Sequence, residues 1–193
     1  MAKSSKGSAY ERELCRYLSL WWSDGRRDDC FWRTSNSGGR ATARSRKGQS
    51  TSGHYGDICA TDEEGKPLLS QITFELKRGY SRCTIADLLD KGVKAKRQQY
   101  EEWFSKLKDT AEQARTNWWA LVHRRDQRQA MIFITFDLRT HLVTRSGRDV
   151  DLKIELSDNR GLLEVDWVVG CTLDSFFSAW SAAHLKYTNG VST

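Results

Sequence analysis

The sequence predicts an α/β fold, and three observations predict it. Apolar residues recur at helical intervals over residues 8–22 and again over 96–115. Short runs rich in β-branched and aromatic residues stand at 31–33, 55–60, 69–77, 118–123 and 130–136. The two kinds of segment alternate along the chain instead of collecting at its ends.

Each element has its own signal. Ser8 reads as the N-cap of the first helix, with Glu11 at the capping-box spacing. Tyr10, Leu14, Tyr17, Leu18 and Trp21 build its apolar side, and Asp24-Gly25 ends it. A short strand is expected at 31–33. Residues 34–53 carry Arg40, Arg44, Arg46 and Lys47, no acid and no hydrophobic period, and read as a basic loop. Strands follow at 55–60 and 69–77, around a turn at 62–67 that holds the only proline, Pro67. A short helix over 83–91 has Thr84 as its cap and Asp87 at the capping-box position. The helix over 96–115 lines up Tyr100, Trp103, Phe104 and Leu107. Residues 118–123 and 130–136 read as buried strands joined by a hairpin-like turn at 124–128. Strands at 152–156 and 162–169 and a helix over 173–184 complete the expectation.

The 193 residues suit one domain with a real core, without internal repeat or linker. An apolar fraction of 38% with eight Trp points to a folded chain. Lys and Arg number 31 against 25 acids, a net charge of +6 that favours a polyanionic partner. No apolar run approaches the roughly 18 residues needed to span a bilayer, and the polar N-terminus has no signal-peptide core. No membrane partner is expected. The five cysteines are widely spaced and form no Cys-x-x-Cys pair, as in a reduced, cytoplasmic protein without a disulfide framework or structural zinc.

The chemistry concentrates in Gly56-Asp57-Ile58 and Phe74-Glu75-Leu76-Lys77. On a strand, residues two apart share a face, so Glu75 and Lys77 emerge side by side. Asp57 joins them from a neighbouring segment. Two carboxylates can hold a hard divalent cation through oxygen. An adjacent lysine can orient a water or meet the charge that develops on a phosphate. Taken singly, each residue has an ordinary reading, as a strand-edge pair or a turn aspartate. Their order within otherwise apolar strands favours the chemical one, since buried carboxylates are costly unless paired or metal-bound.

These motifs carry a resemblance. Lys6-Gly7-Ser8, Glu11-Arg12-Glu13-Leu14, Arg33-Thr34-Ser35, Gly56-Asp57-Ile58-Cys59-Ala60 and Phe74-Glu75-Leu76-Lys77 together resemble the archaeal-type Holliday junction resolvases of the PD-(D/E)XK, or restriction-endonuclease-like, superfamily. The likeness covers roughly the first 80 residues, with Gly56 where the superfamily has proline; the portion after about residue 124 has no recognisable counterpart. It implies a mixed central sheet flanked by helices, Mg²⁺ dependence with Mn²⁺ as a substitute, and a homodimer. It implies that Glu11, Asp57, Glu75 and Lys77 are catalytic, and that Asp57, Glu75 and the Leu76 carbonyl hold the metal. Arg12 and Arg33 fall where such enzymes place basic residues near the scissile phosphate.

The function expected is therefore a metal-dependent DNA endonuclease, with branched DNA as favoured substrate in recombination and repair. A nuclease of the same fold acting on linear duplex or single strands, in restriction, repair or phage genome processing, is the alternative. A noncatalytic nucleic-acid-binding module is the alternative of another class. Arg40, Arg44, Arg46 and Lys47 are expected to contact phosphate, and Lys94 and Lys96 extend the same surface. Trp21, Trp103, Trp119 and Trp167 read as core or interface residues. Base stacking by Trp22 or Trp32 stands open. His54 is close to Asp57 in sequence, whereas His123, His141 and His184 have no motif spacing. Phe176, Phe177 and Trp180 suit a dimer surface or a buried helix equally.

Overall fold

The computed structural model describes residues 6–34, 55–89, 91–92, 95–157 and 167–186. Arg40, Arg44, Arg46, Lys47, His54 and Lys94 lie outside the described residues. So does most of the basic loop.

Helix α1 spans Lys6–Trp22. Lys6 and Gly7 are already helical, so Ser8 belongs to the first turn and is not the expected cap; Glu11 pairs with Arg33 instead. Tyr10, Leu14, Leu18 and Trp22, four apart, form the buried stripe. Tyr17 falls off that stripe and is exposed, contrary to expectation. Strand β1 (Phe31–Arg33) pairs antiparallel with β2 (Ile58–Ala60). The expected strand at 55–60 is shortened because Gly56 takes a φ of +76°, which breaks extended backbone. Pro67 then opens a helical turn, α2 (Lys66–Leu69), and this delays strand β3 to Ile72–Arg78.

The expected helix over 83–91 contracts to α3 (Ala86–Leu89), with the Asp87 carboxylate accepting from the Thr84 backbone N–H as the spacing predicts. Helix α4 (Gln99–Ala114) buries Tyr100, Trp103, Phe104 and Leu107 as expected. Strands β4 (Trp118–Arg124) and β5 (Ala130–Thr135) follow. A helix absent from the sequence reading, α5 (Phe136–Ser146), comes next; Thr135 caps it by accepting from Leu138 N. Strands β6 (Ile154–Ser157) and β7 (Trp167–Thr172) precede α6 (Leu173–Ala179) and α7 (Ala183–Lys186). The single closing helix expected over 173–184 is thus two, broken where Trp180 turns extended.

The strands β3-β4-β5-β7-β6 form one mixed sheet, with β3 and β4 parallel and the other pairs antiparallel. A parallel pair needs a crossover, and α4 lies on it. Side chains alternate between two cores. Ile72, Phe74, Leu76, Ala120, Val122, Ile132 and Ile134 face α1 and the C-terminal helices. Trp119, Leu121 and Phe133 face α4. Glu75 and Lys77 alternate with the first set and pair in register with Leu121 and His123, so they fall on the α4 face. Phe176 and Trp180 are buried, and Trp21 packs on Phe176 and Phe177 at 5.9 and 5.4 Å. The buried-helix reading of this segment therefore holds over the dimer-surface one.

Candidate active site

Strand β3 forms one edge of the sheet, and the segment before β2 closes on that edge. Asp57 N donates to Phe74 O at 2.9 Å, and Thr34 N donates to Asp57 O at 3.0 Å. The Thr34 hydroxyl donates to Gly56 O, also at 3.0 Å. Gly56 is required at this approach. A Cβ there would stand 2.4 Å from Phe74 O, and the φ of +76° is one that proline cannot adopt. The glycine in place of the superfamily's proline thus has a local cause.

This clamp aims the Asp57 side chain back at β3. Its Oδ2 accepts the Leu76 backbone N–H at 2.8 Å, and the residue is 5% exposed. Phe74 O and Leu76 N both face the Asp57 edge. On a strand a residue's N–H and C=O point to one side, so the Leu76 carbonyl faces that edge too. Glu75 and Lys77 stand beside it, with Lys77 Nζ donating to Glu75 Oε1 at 2.5 Å, both side chains mostly buried. The Lys77 ammonium also lies 5.9 Å from the centre of the Trp103 ring.

The electrostatics follow from burial and crowding. Burial and the negative charge of Glu75 push the Asp57 carboxyl up to about 7, against the opposing Leu76 N–H bond and Lys77 charge. Burial disfavours the Lys77 ammonium, but Glu75 and Asp57 outweigh it and hold its pKa above the usual value. Glu11 adds its negative charge to Asp57 from α1. It is bound at 3.1 Å to Arg33 Nε, and both side chains are partly buried.

The structure thus brings together Asp57, Glu75, Leu76 and Lys77, with Glu11 and Arg33 at the margin. Arg12 is exposed on α1. Trp22 is buried and gives its indole N–H to Glu64 O at 2.7 Å, which removes it as a stacking surface; Trp32 is half exposed. Three residues near the site escaped the sequence reading. Trp103 reads from sequence as a core or interface residue, without a place at the site. Tyr80 is 53% exposed, with its ring 5.0 Å from that of Trp103. His123 is buried beside Lys77, bonded through Nδ1 to Tyr100 Oη at 2.7 Å and through Nε2 to Gly79 O at 3.0 Å. The signal available for Tyr80 was its place just past a strand-ending glycine.

Among the described residues, no three His, Cys, Asp or Glu side chains gather into a ready-made metal site. The donor set at β3 nonetheless fits a hard cation. Two crowded carboxylates, one of them buried and held near neutrality, and a carbonyl on the same edge offer oxygen alone. A divalent ion would relieve the repulsion that raises Asp57.

A family model described as phage putative PDDEXK endonuclease matches residues 2–187, nearly the whole chain. The chain belongs to this family and thereby to the PD-(D/E)XK nucleases. No curated protein and no solved structure matches it.

Proposed function

We propose that this PD-(D/E)XK endonuclease hydrolyses DNA phosphodiesters with a divalent cation, Mg²⁺ or Mn²⁺, held by Asp57, Glu75 and the Leu76 carbonyl. The observation that carries the reading is the Asp57 carboxylate fastened to Leu76 N–H, which sets it beside the Glu75–Lys77 pair. When bound, the ion supplies Lewis-acid neutralisation of the phosphate and a water of lowered pKa. Lys77, kept charged by Glu75, meets negative charge on the attacking water or the phosphate oxygens. Glu11 orients Arg33 at the margin, where its guanidinium suits a phosphate. Arg12, Arg40, Arg44, Arg46 and Lys47 add phosphate contacts that weaken as salt rises. Water attacks phosphorus in line, the P–O3′ bond breaks, and the 3′ oxygen takes up a proton.

The substrate we favour is branched DNA, cut by a homodimer at two strands. The resolvase-like residues around Lys6-Gly7-Ser8 and Glu11-Arg12-Glu13 support that choice. Cleavage of linear duplex or single strands is the second reading, and the family's description as a phage endonuclease is consistent with it. The test incubates the protein with a labelled four-way junction and with its component duplexes, in Mg²⁺ or EDTA. Paired symmetric nicks near the branch, absent in EDTA, are expected. Equal cutting of the duplexes overturns the junction preference. Binding without cutting of any DNA overturns the nuclease.

A further inference from the structure

A second concavity opens on the α4 face of the sheet, next to the site. It measures about 460 Å³, within the roughly 300–1,000 Å³ of small-ligand pockets. Its floor is apolar, made by Ile85, Met131, Phe133 and Ile154. Gly170 lets two of these side chains close over it, since a Cβ there would stand 2.6 Å from Ile154 Cγ2 and 2.8 Å from Phe133 Cδ1. Its rim is cationic. Arg125 and Arg128 come from the β4–β5 turn and have no ion-pair partner among the described residues. Lys153 also lines it but is bound to Asp151, and the nearby Asp87 is engaged by Thr84.

The wall shared with the site is ordered. Gly79 O can only accept, so His123 Nε2 carries the proton; Nδ1 is then the acceptor, and Tyr100 donates to it. The Tyr80 ring lies 6.3 Å from His123 and 5.0 Å from Trp103, the ring beside Lys77. Tyr80 holds a φ of +54°, uncommon for an aromatic residue, and its side chain is 53% exposed. Met131 pairs with His123, which pairs with Lys77. Met131 on the floor is therefore two strand spacings, about 10 Å, from Lys77, and His123, which also lines the cavity, is one.

From the apolar floor, the two guanidinium groups without an ion-pair partner among the described residues and this adjacency, we infer that the cavity is a subsite for one unpaired nucleotide of the DNA strand entering the site. The base lies on the floor, as in the pockets of enzymes that take bases out of the stack. Its phosphate meets Arg125 and Arg128, and Tyr80 carries the neighbouring base. The substrate class is thus branched DNA whose branch leaves unpaired nucleotides beside the scissile phosphate. This rests on the nuclease reading of the site.

Binding in EDTA tests it without cleavage. Fluorescence anisotropy compares a paired duplex with the same duplex carrying a short single-stranded flap, for wild type, Arg125→Ala/Arg128→Ala and Glu75→Ala. Wild type and Glu75→Ala are expected to hold the flapped DNA at least tenfold more tightly. The double arginine variant is expected to lose that preference while keeping duplex affinity within about threefold. No preference in wild type, or one that survives in the arginine variant, overturns the subsite. Arginine-dependent binding of free deoxynucleoside monophosphate without preference among the DNAs also overturns it, in favour of a soluble ligand. Preference with no cleavage in Mg²⁺ supports the subsite and refutes the nuclease reading separately.

Discussion

Replacing Asp57 by Asn should stabilise the metal-free protein while abolishing cleavage. An Asn amide oxygen can keep the bond from Leu76 N–H, and its NH₂ can donate toward Glu75, so the packing is retained. What disappears is a buried negative charge. The carboxyl moves from an ordinary 3.8 to about 7 on folding, because burial and Glu75 oppose its ionisation. A group with a raised folded pKa contributes stability below its unfolded value and loses it as pH rises through the folded one. The wild type should therefore weaken between about pH 4 and pH 7. At 1.36 kcal/mol per pKa unit the whole loss is about 4 kcal/mol, of which roughly 2.5 falls between pH 5 and pH 8. Urea denaturation in EDTA at pH 5 and pH 8 measures it. Asp57→Asn should gain roughly 2.5 kcal/mol on wild type between the two pH values, and Mg²⁺ should restabilise only the wild type. A stability difference that stays the same at both pH values would refute the reasoning.

Two further predictions concern the scaffold. Gly56→Ala forces a Cβ to 2.4 Å from Phe74 O in a left-handed backbone, so it should cost roughly 2–3 kcal/mol and pull Asp57 off β3; unchanged denaturation and cleavage would contradict this. Lys91 and Glu101 form a buried ion pair at 2.6 Å, and Glu101 also accepts from Gln98 N. Lys91→Met should cost roughly 3–5 kcal/mol by leaving the carboxylate alone, and Lys91→Met/Glu101→Leu should recover much of it; urea midpoints check both.

The sequence made the fold class legible, and within it the placement of part of the candidate site. Glu75 and Lys77 needed only the two-residue period of a strand, and that period held. Asp57 needed a tertiary clamp, and the sequence offered only its glycine neighbour and flanking apolar residues as signs. Helix α5 escaped because its fully buried positions, Leu138 and Leu142, are too few to set a visible period. Pro67 reads as a turn residue, although within the first turn of a helix its fixed φ is favourable and its missing N–H costs nothing. The early start of α1 misled the capping-box reading, since Ser8 and Glu11 keep the spacing without the position. The Arg125–Arg128 cavity had no linear signature, because its floor comes from three separate segments.

The central claim is that Asp57, Glu75 and Lys77 act on one phosphodiester through a shared cation. Cleavage of end-labelled DNA by wild type and by Glu75→Ala, at equal DNA occupancy and with Mg²⁺ or EDTA, tests it most directly. Wild-type cutting should require Mg²⁺, and Glu75→Ala should be slower by at least a hundredfold. Cutting by Glu75→Ala at a comparable rate, or wild-type cutting that persists in EDTA, would contradict the claim.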